Sequence, residues 1–547
     1  MKICSISVSN YRSIDLKGIT LDFSPSYSVI VGENNVGKST IPHVIRFVLQ
    51  SQMPENEDYF KGNEDHQIYC GIHIELCDRT IKEIIRIIGF PFNNERYAEA
   101  FATRFLYEYI LNPEGMQLTQ RFILGDLIIT RRNNQSFCSI LGIETSDTLS
   151  GNSSWGDVIE EMRGDPENNP KKIIRNYIEN HNNYPILFPT DFGLDLLTML
   201  QDNIKFIDEY RERPRGQGSE TLHDPTGKDL ATQLYNRKTG SREKRKLFIK
   251  TQGEFESYFS NGSLDAMNLQ DHRLIVIEKG DFESTTPYIG AGVIGTTHVL
   301  ADMVSNRGKV IIIDSPELHL HPSIQRKMNE KFQQNQDIQI IAITHSPYFV
   351  ELGKGNKIFR FAHENNHLVH YENDLKNFTE KDLGNIETLI NLDSRDIFFC
   401  RMVFLTEGAT EFGALPMLFK QLDFDLYKHS ISLISVGGTG NLKLYSKLCR
   451  AYSIPFFILT DNDGRRQINK IEKEIKPLHH HILEGKFEDM FPEDLIEKVK
   501  KEMGPINYEK KPMRGRHIAE KIISDGLEVP DGINMIKTVV EDYYDNL

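Results

Sequence analysis

The 547-residue chain has a single tryptophan, six cysteines and no long apolar run. No window approaches about 18 consecutive apolar residues, so no membrane-spanning helix is expected. Residues Met1–Ile14 lack the apolar core of a secretory signal. The cysteines Cys4, Cys70, Cys77, Cys138, Cys400 and Cys449 are scattered and form no CxxC pair. This argues against a disulfide framework or a zinc site and for reduced thiols in the cytoplasm. Internal repeats and long low-complexity tracts are also missing. Nor is there an excess of positive charge: 64 Lys and Arg face 78 Asp and Glu, a formal net charge of −14. Taken alone, that balance speaks against nucleic acid, because whole-protein binders are usually basic.

Hydrophobic residues make up 39% and charged residues 26% of the chain, the composition of a globular protein with real cores. At about 100–200 residues per domain, two to four domains are expected. The N-terminal part alternates in strand fashion through Ile3, Ile6 and Val8, then Leu21 and Phe23, and then runs apolar over 27–31. A helix is expected over 39–50 and a strand over 67–76. Between about 90 and 200 the pattern changes to a helical stretch over 96–111, a hairpin around 122–143 and a polar loop over 144–154, which reads as an insertion. Residues 224–259 are charged and partly helical. Apolar strand runs return at 274–277, 310–313 and 338–343. From about 395 the order is strand, helix, strand, helix, strand (402–405, 411–422, 431–436, 442–452, 456–459), a doubly wound α/β pattern of its own.

Gly32-Glu33-Asn34-Asn35-Val36-Gly37-Lys38-Ser39-Thr40 fits G-x-x-x-x-G-K-S/T between an apolar strand and a helix. Its backbone N–H groups can wrap phosphates. Lys38 would reach the β- and γ-phosphates of ATP, and Ser39 would hold Mg²⁺. The matching acidic strand is Val310–Asp314, and Asp314 suits a second contact to that Mg²⁺. The distance in sequence from Lys38 to Asp314 implies a nucleotide-binding fold interrupted by a large insertion. A further strand ends at Thr344-His345-Ser346, where His345 can reach the γ-phosphate or an attacking water. Together with Ser9-Asn10-Tyr11-Arg12-Ser13 and Asp314-Ser315-Pro316-Glu317-Leu318-His319-Leu320-His321-Pro322, these residues resemble the ABC-type ATPases of the SMC, Rad50 and RecF group. The Asp314–Pro322 segment resembles the D-E-P-E-x-x-L-H-P segment of the branch containing the OLD (overcoming lysogenization defect) proteins. Two departures stand out. Ser315 occupies the place of the family's catalytic glutamate, with Glu317 left as the nearest substitute. The signature segment, best matched by Tyr288-Ile289-Gly290-Ala291-Gly292, keeps its glycines and lacks the serine. The resemblance therefore implies ATP that is bound and sensed more than it is turned over. Of His319 and His321, one is expected to pack and orient the loop, and the pair is not expected to hold a metal.

In the C-terminal part, Glu407 ends one strand with Glu411 one helical turn on. Asp461 and Asp463 end another strand of the same expected sheet. Strand C-termini of an open parallel sheet share one edge, so these carboxylates should converge. Converging carboxylates repel, and Mg²⁺ or Mn²⁺ relieves the repulsion through oxygen ligands. Such a site suits phosphoryl transfer. The E-G and D-x-D placement, with Gly437-Gly438 after the middle strand, resembles the Toprim domain of topoisomerases, primases and OLD nucleases. That resemblance implies a further metal ligand in the segment 483–489, for which Glu488 is preferred over Glu484 and Asp489. It also implies a basic residue that steadies the scissile phosphate. Lys510, Lys511, Arg514 and Arg516 are candidates, and Lys511 is the choice. His479-His480-His481 is expected to be an exposed loop.

Basic residues cluster despite the net charge, at Arg211–Arg215, at Arg237–Lys250 and at Lys510–Arg516, where counterion release could support DNA binding. The whole chain resembles an OLD-family nuclease, a group that includes the nuclease of Gabija antiphage systems and retron-linked effectors. This implies an α/β architecture: an ABC/SMC-like ATPase head over 1–395 with a helical insertion, the dimerisation segment, at about 90–200, and then a Rossmann-like Toprim domain over 396–547. It also implies a metal-dependent DNA endonuclease or nickase gated by ATP. The expected assembly is a homodimer or dimer of dimers, with an operon partner such as a helicase, a reverse transcriptase or a retron RNA/DNA, and no membrane. A RecF-like, ATP-dependent DNA-binding switch without cleavage is the alternative. A strand-passing topoisomerase would need a nucleophilic tyrosine domain, and no segment supplies a recognisable one.

Overall fold

The structure, a computed structural model, describes residues 1–62, 64–88, 104–112, 117–124, 127–132, 135–140, 157–158, 160–161, 170–180, 186–188, 191–207, 228–260, 262–269, 272–286, 288–306, 308–352, 355–364, 367–372, 378–379, 382, 384–385, 393–503 and 510–547. Two compact units are present. One comprises Met1–Ile30, Val36–Phe359 and His363–His370; the other comprises Val31–Asn35, Arg360–Ala362 and Tyr371–Leu547.

The first unit is built on two large sheets. In one, strands run in the order Ile19–Asp22, Lys2–Ser9, Ile68–Glu75, Arg104–Asn112, Gln117–Leu124, Leu127–Arg132, Gln135–Ile140 and Ile186–Leu187. The pairings described here are all antiparallel. The hairpin expected around 122–143 is present as part of this meander. The helix expected over 96–111 is not: residues 104–112 form a strand, and 96–103 lie outside the described residues. Phe105, Tyr107, Tyr109 and Leu111 are buried on one face. That is a period of two, and aromatic residues on a half-buried pleated surface favour the sheet. The described part of the expected helical insertion is thus largely strand, with helices at Pro170–Asn180 and Phe192–Asn203 and helical residues at 157–158 and 160–161. The polar loop over 144–154 lies outside the described residues.

The second sheet of this unit has the order Ile204–Ile207, Val310–Asp314, Gln339–Ile343, Tyr27–Gly32, Lys357–Glu364 and His367–Glu372. Its first four strands pair in parallel. Val310–Ile313 and Gln339–Ile343 are buried throughout. Strands covered on both faces read as unbroken apolar runs, which is why these were visible in sequence. Helices Lys228–Thr239, Arg242–Tyr258 and Ala291–Ser305 pack with a three-stranded antiparallel sheet (Gly262–Leu269, His272–Lys279, Phe282–Thr285) around Leu230, Leu234, Phe248, Phe255, Leu264, Ile275 and Ile294.

The second unit holds a four-stranded parallel sheet in the order Ile431–Ser435, Met402–Thr406, Phe456–Thr460 and His480–Ile482. Helices Ala409–Gln421, Thr439–Ala451, Arg465–Glu472, Glu493–Met503, Lys511–Ser524 and Asp531–Asp545 accompany it. Phe404, Leu415, Leu418, Phe457, Leu459, Ile518, Ile522, Ile533 and Val540 share its core. The expected alternation of strand and helix after residue 395 is present. His480 and His481 are corrected from loop to strand: the strand pairs beside Phe456–Thr460, and the His479 ring stacks on Tyr543 at 4.1 Å. Among the described residues, no helix is long and apolar enough to cross a membrane.

Candidate active site

The P-loop strand Tyr27–Gly32 and the helix Thr40–Leu49 bracket the phosphate-binding motif. Asn35 and Gly37 have φ of +62° and +93°, the left-handed turns that aim consecutive backbone N–H groups into one concavity. At Gly37 a Cβ would also collide with the Ser13 hydroxyl. Ser13 and Thr40 hydroxyls lie 3.0 Å apart, so the turn Ser9–Ser13 braces the loop. Lys38 is buried and Ser39 exposed, with no capping bond from the Ser39 side chain. Asp314 ends its strand beside the strand that leads to His345, which is exposed.

Glu317 is already committed. Its carboxylate accepts the Thr344 hydroxyl at 2.6 Å and the His345 backbone N–H at 2.7 Å. It ties the acidic loop to the histidine strand, which leaves it poorly placed to replace the glutamate missing at Ser315. His321 caps the helix Pro322–Gln334 through Nδ1, which accepts from Ser323 N at 3.3 Å. This is the orienting role expected of one of the two histidines.

In the second unit, Glu407 and Asp461 follow adjacent parallel strands and share one sheet edge. Glu407 Oε2 accepts the Thr460 hydroxyl at 2.6 Å, and Asp461 Oδ1 accepts Phe487 N–H at 3.1 Å. Asp463 lies in the exposed turn Asn462–Gly464 and raises the pKa of both Glu407 and Asp461. Glu411, on the first turn of Ala409–Gln421, is buried. Burial first, and then Asp461, Glu488 and Glu407, push its carboxyl up to about 7. Burial and Glu407 push Asp461 up to about 6. Glu407 is raised mainly by burial and lowered by Lys511. Glu488 faces this group: its Oε1 accepts the Thr410 hydroxyl at 3.1 Å and lies 3.5 Å from Arg514 Nη1. Asp489 instead accepts Lys486 N–H at 2.8 Å within its own turn, and Glu484 is exposed.

The donor set suits a hard divalent cation. It is all carboxylate oxygen, and three of its members, Glu407, Glu411 and Asp461, are held above their ordinary pKa by burial and repulsion from neighbouring carboxylates. Among the described residues, no three His, Cys, Asp or Glu side chains are already gathered tightly enough to hold an ion. The carboxylates line one edge and lean on protein donors.

Stability should report that repulsion. Glu411→Gln is expected to stabilise the metal-free protein at pH 8 by on the order of 3 kcal/mol. The folded-state carboxyl sits above its unfolded value, so ionising it works against the fold. The cost is full above about pH 7 and gone below about 4.5. The gain in melting temperature over the parent should shrink as the pH is lowered from 8 to 5.

The basic candidates separate. Helix Lys511–Ser524 crosses Ala409–Gln421 at closest approach. A Cβ on Gly413 would overlap the Pro512 carbonyl oxygen, and one on Gly515 that of Thr410. These two glycines set Lys511 and Arg514 beside the carboxylates. Gly413→Ala should cost about 3 kcal/mol, since backbone cannot yield as a side chain can; thermal melting checks this. Arg516 pairs with Glu520 at 2.8 Å, away from the carboxylates. Arg237 is buried on the Ala301 carbonyl, and Lys238 pairs with Asp265 at 2.7 Å. Those two belong to the fold, which leaves Arg242, Lys244, Arg245, Lys246 and Lys250 as the exposed part of the middle basic cluster. Arg211–Arg215 lie outside the described residues. Thr410, Gly413 and Gly515 were missed by sequence reasoning, because their partners are distant in the chain.

Residues 398–463 match the family described as overcoming lysogenization defect protein-like, TOPRIM domain. Residues 1–185 match the AAA ATPase domain family, and a second AAA domain family matches 295–351. The OLD nuclease of Thermus scotoductus is 27% identical over 164 residues, covering 28% of this chain and 30% of that protein. Endonuclease GajA of Bacillus cereus is 22% identical over 539 residues, covering 85% of this chain and 74% of that protein. An Smc head domain from Pyrococcus furiosus aligns with a TM-score of 0.39 at 13% identity, covering 70% of this chain and 99% of that one. This chain therefore spans under a third of the OLD nuclease it matches and about three quarters of GajA. The expected order, ATPase domain and then OLD-like Toprim domain, is borne out, and with it the resemblance to the OLD family.

Proposed function

We propose that this chain, with its ATPase domain followed by an OLD-like Toprim domain, is a divalent-metal-dependent DNA endonuclease or nickase. Cleavage occurs in the 396–547 domain and is regulated by ATP bound in the 1–395 domain. This reading is supported by the mutual repulsion of Glu407, Glu411, Asp461 and Glu488, which lie close enough to raise the Glu411 and Asp461 carboxyls, with Lys511 acting on Glu407 and Arg514 near Glu488. Glu407, Asp461 and Asp463, with Glu411 and Glu488, would hold Mg²⁺ or Mn²⁺. The bound metal supplies an activated water and stabilises the leaving oxygen. The protein's own part is to orient. Thr460 and Phe487 N–H fix the Glu407 and Asp461 carboxylates, and Lys511 neutralises charge on the phosphodiester.

In the head, Gly32, Asn35, Gly37, Lys38, Ser39 and Thr40 would hold the ATP phosphates, Ser39 and Asp314 its Mg²⁺, and His345 the γ-phosphate end, with Glu317 positioning His345. The assembly is a homodimer or dimer of dimers acting on DNA, and an operon-encoded partner supplies the trigger. An antiphage role fits the named relative GajA. The test is supercoiled DNA incubated with purified protein and Mg²⁺ or Mn²⁺, with and without ATP. Metal-dependent nicking or linearisation that changes with ATP supports the reading. Nucleotide-dependent DNA binding with no cleavage in either metal would replace it with the RecF-like switch.

A further inference from the structure

Arg514, one of the four basic candidates, has no assigned role in the reading above, yet it lies against the carboxylate group through Glu488. Its Nη1 lies 3.5 Å from Glu488 Oε1, and the two side chains are only 15% and 21% exposed. The same Glu488 oxygen accepts the Thr410 hydroxyl. Arg514 Nε is buried and has no hydrogen-bond partner. The helix crossing at Gly413 and Gly515 holds this arrangement from both sides. A guanidinium kept for structure alone usually grips its carboxylate in a two-pronged pair at about 2.7–2.9 Å. Here one long contact and an idle donor describe a weak grip, in a place where several carboxylates repel.

We propose that Arg514 is a resident counter-ion for Glu488 that a divalent cation displaces, and that the freed guanidinium then takes the non-bridging oxygens of the scissile phosphate. The inference rests on the nuclease reading for its second half only. Guanidinium and metal compete for Glu488, so each weakens the other's hold by the same factor. Once released, the planar fork with its unused Nε–H offers the two parallel donors that a phosphate accepts. Removing Arg514 should therefore move two quantities in opposite directions, which a purely structural ion pair would not do. It should tighten metal binding and slow cleavage.

The experiment uses the full-length protein, its Arg514→Gln variant and its Arg514→Lys variant. Mn²⁺ binding is measured without DNA from the electron paramagnetic resonance signal of free Mn²⁺. Cleavage of supercoiled DNA is measured at saturating Mn²⁺. Arg514→Gln is expected to lower the Mn²⁺ dissociation constant by about fivefold, the scale of a coupling between two ligands. It should also slow cleavage by about a hundredfold, the scale of losing a donor to transition-state charge. Arg514→Lys should keep near-parental Mn²⁺ affinity and an intermediate rate, and it stands in if the glutamine variant does not fold. Unchanged or weaker Mn²⁺ binding in a folded Arg514→Gln protein overturns the exchange. A parent that binds Mn²⁺ but cuts no DNA, with the affinity gain intact in the variant, refutes the nuclease reading and the phosphate step while upholding the exchange.

Discussion

On the proposed reading, glutamine at Glu407, or asparagine at Asp461, is expected to lower the rate of DNA cleavage by about a thousandfold or more while the protein stays folded. Each change removes one negative charge and adds almost no volume. The hydrogen bonds that place the two side chains, from the Thr460 hydroxyl and Phe487 N–H, can still be accepted by an amide oxygen. What would be lost is the charge proposed to hold a divalent ion where the phosphodiester is attacked. Metal stabilisation of that transition state is worth several kcal/mol, and each 1.4 kcal/mol is tenfold in rate. Folding should not suffer, because burial already disfavours the ionised forms of both groups. Single-turnover cleavage of end-labelled duplex, with melting curves run in parallel, reads both halves. A variant that keeps more than a tenth of the parental rate would remove its residue from the metal set.

Glutamate at Ser315 is expected to raise ATP turnover by about a hundredfold. The parent lacks a free carboxylate after Asp314. Ser315 only donates to Asp314 Oδ1 at 3.4 Å, and Glu317 is held by Thr344 and His345. Without a general base the proposed ATP site would turn nucleotide over slowly, and supplying such a base typically contributes 10²–10⁴-fold. Ser315 is buried and sits at φ +54°, so a melting curve of the variant is run beside the turnover assay. Phosphate release from purified protein measures the effect. Fast hydrolysis by the parent, or no gain in the variant while ATP binding is retained, would show that the base lies elsewhere.

Both sites were visible in sequence for one reason. The strands that deliver Asp314, His345, Glu407 and Asp461 are buried on both faces, so each reads as an apolar run ending abruptly in a polar residue. Glycines at 32 and 37, and the Lys38-Ser39 pair, added a motif with its own geometry. The segment Arg104–Asn112 misled because its mixed residues, with Arg104 and Glu108 among apolar side chains, fit a helix as well as a strand; pairing with Ile68–Glu75 decided it. The second layer of the carboxylate site was not legible at all. Thr410 meets Glu488, and Gly515 meets the Thr410 carbonyl, across separations that no local pattern records. Arg514 was one of four basic candidates in a row, and only the helix crossing distinguishes it from Arg516, whose partner is Glu520. The net charge of −14 was a poor guide to the partner. Part of it stands in carboxylates that a metal would neutralise, and the exposed lysines and arginines of the helix Arg242–Tyr258 keep a basic stripe on an acidic chain.

The most direct measurement sets the parent protein beside Asp461→Asn on supercoiled plasmid in Mn²⁺, at protein concentrations where both bind DNA equally. The account predicts nicked or linear product from the parent, none from the variant, and none from either once EDTA is added. Equal cleavage by the two proteins, or cleavage that survives EDTA, would contradict it.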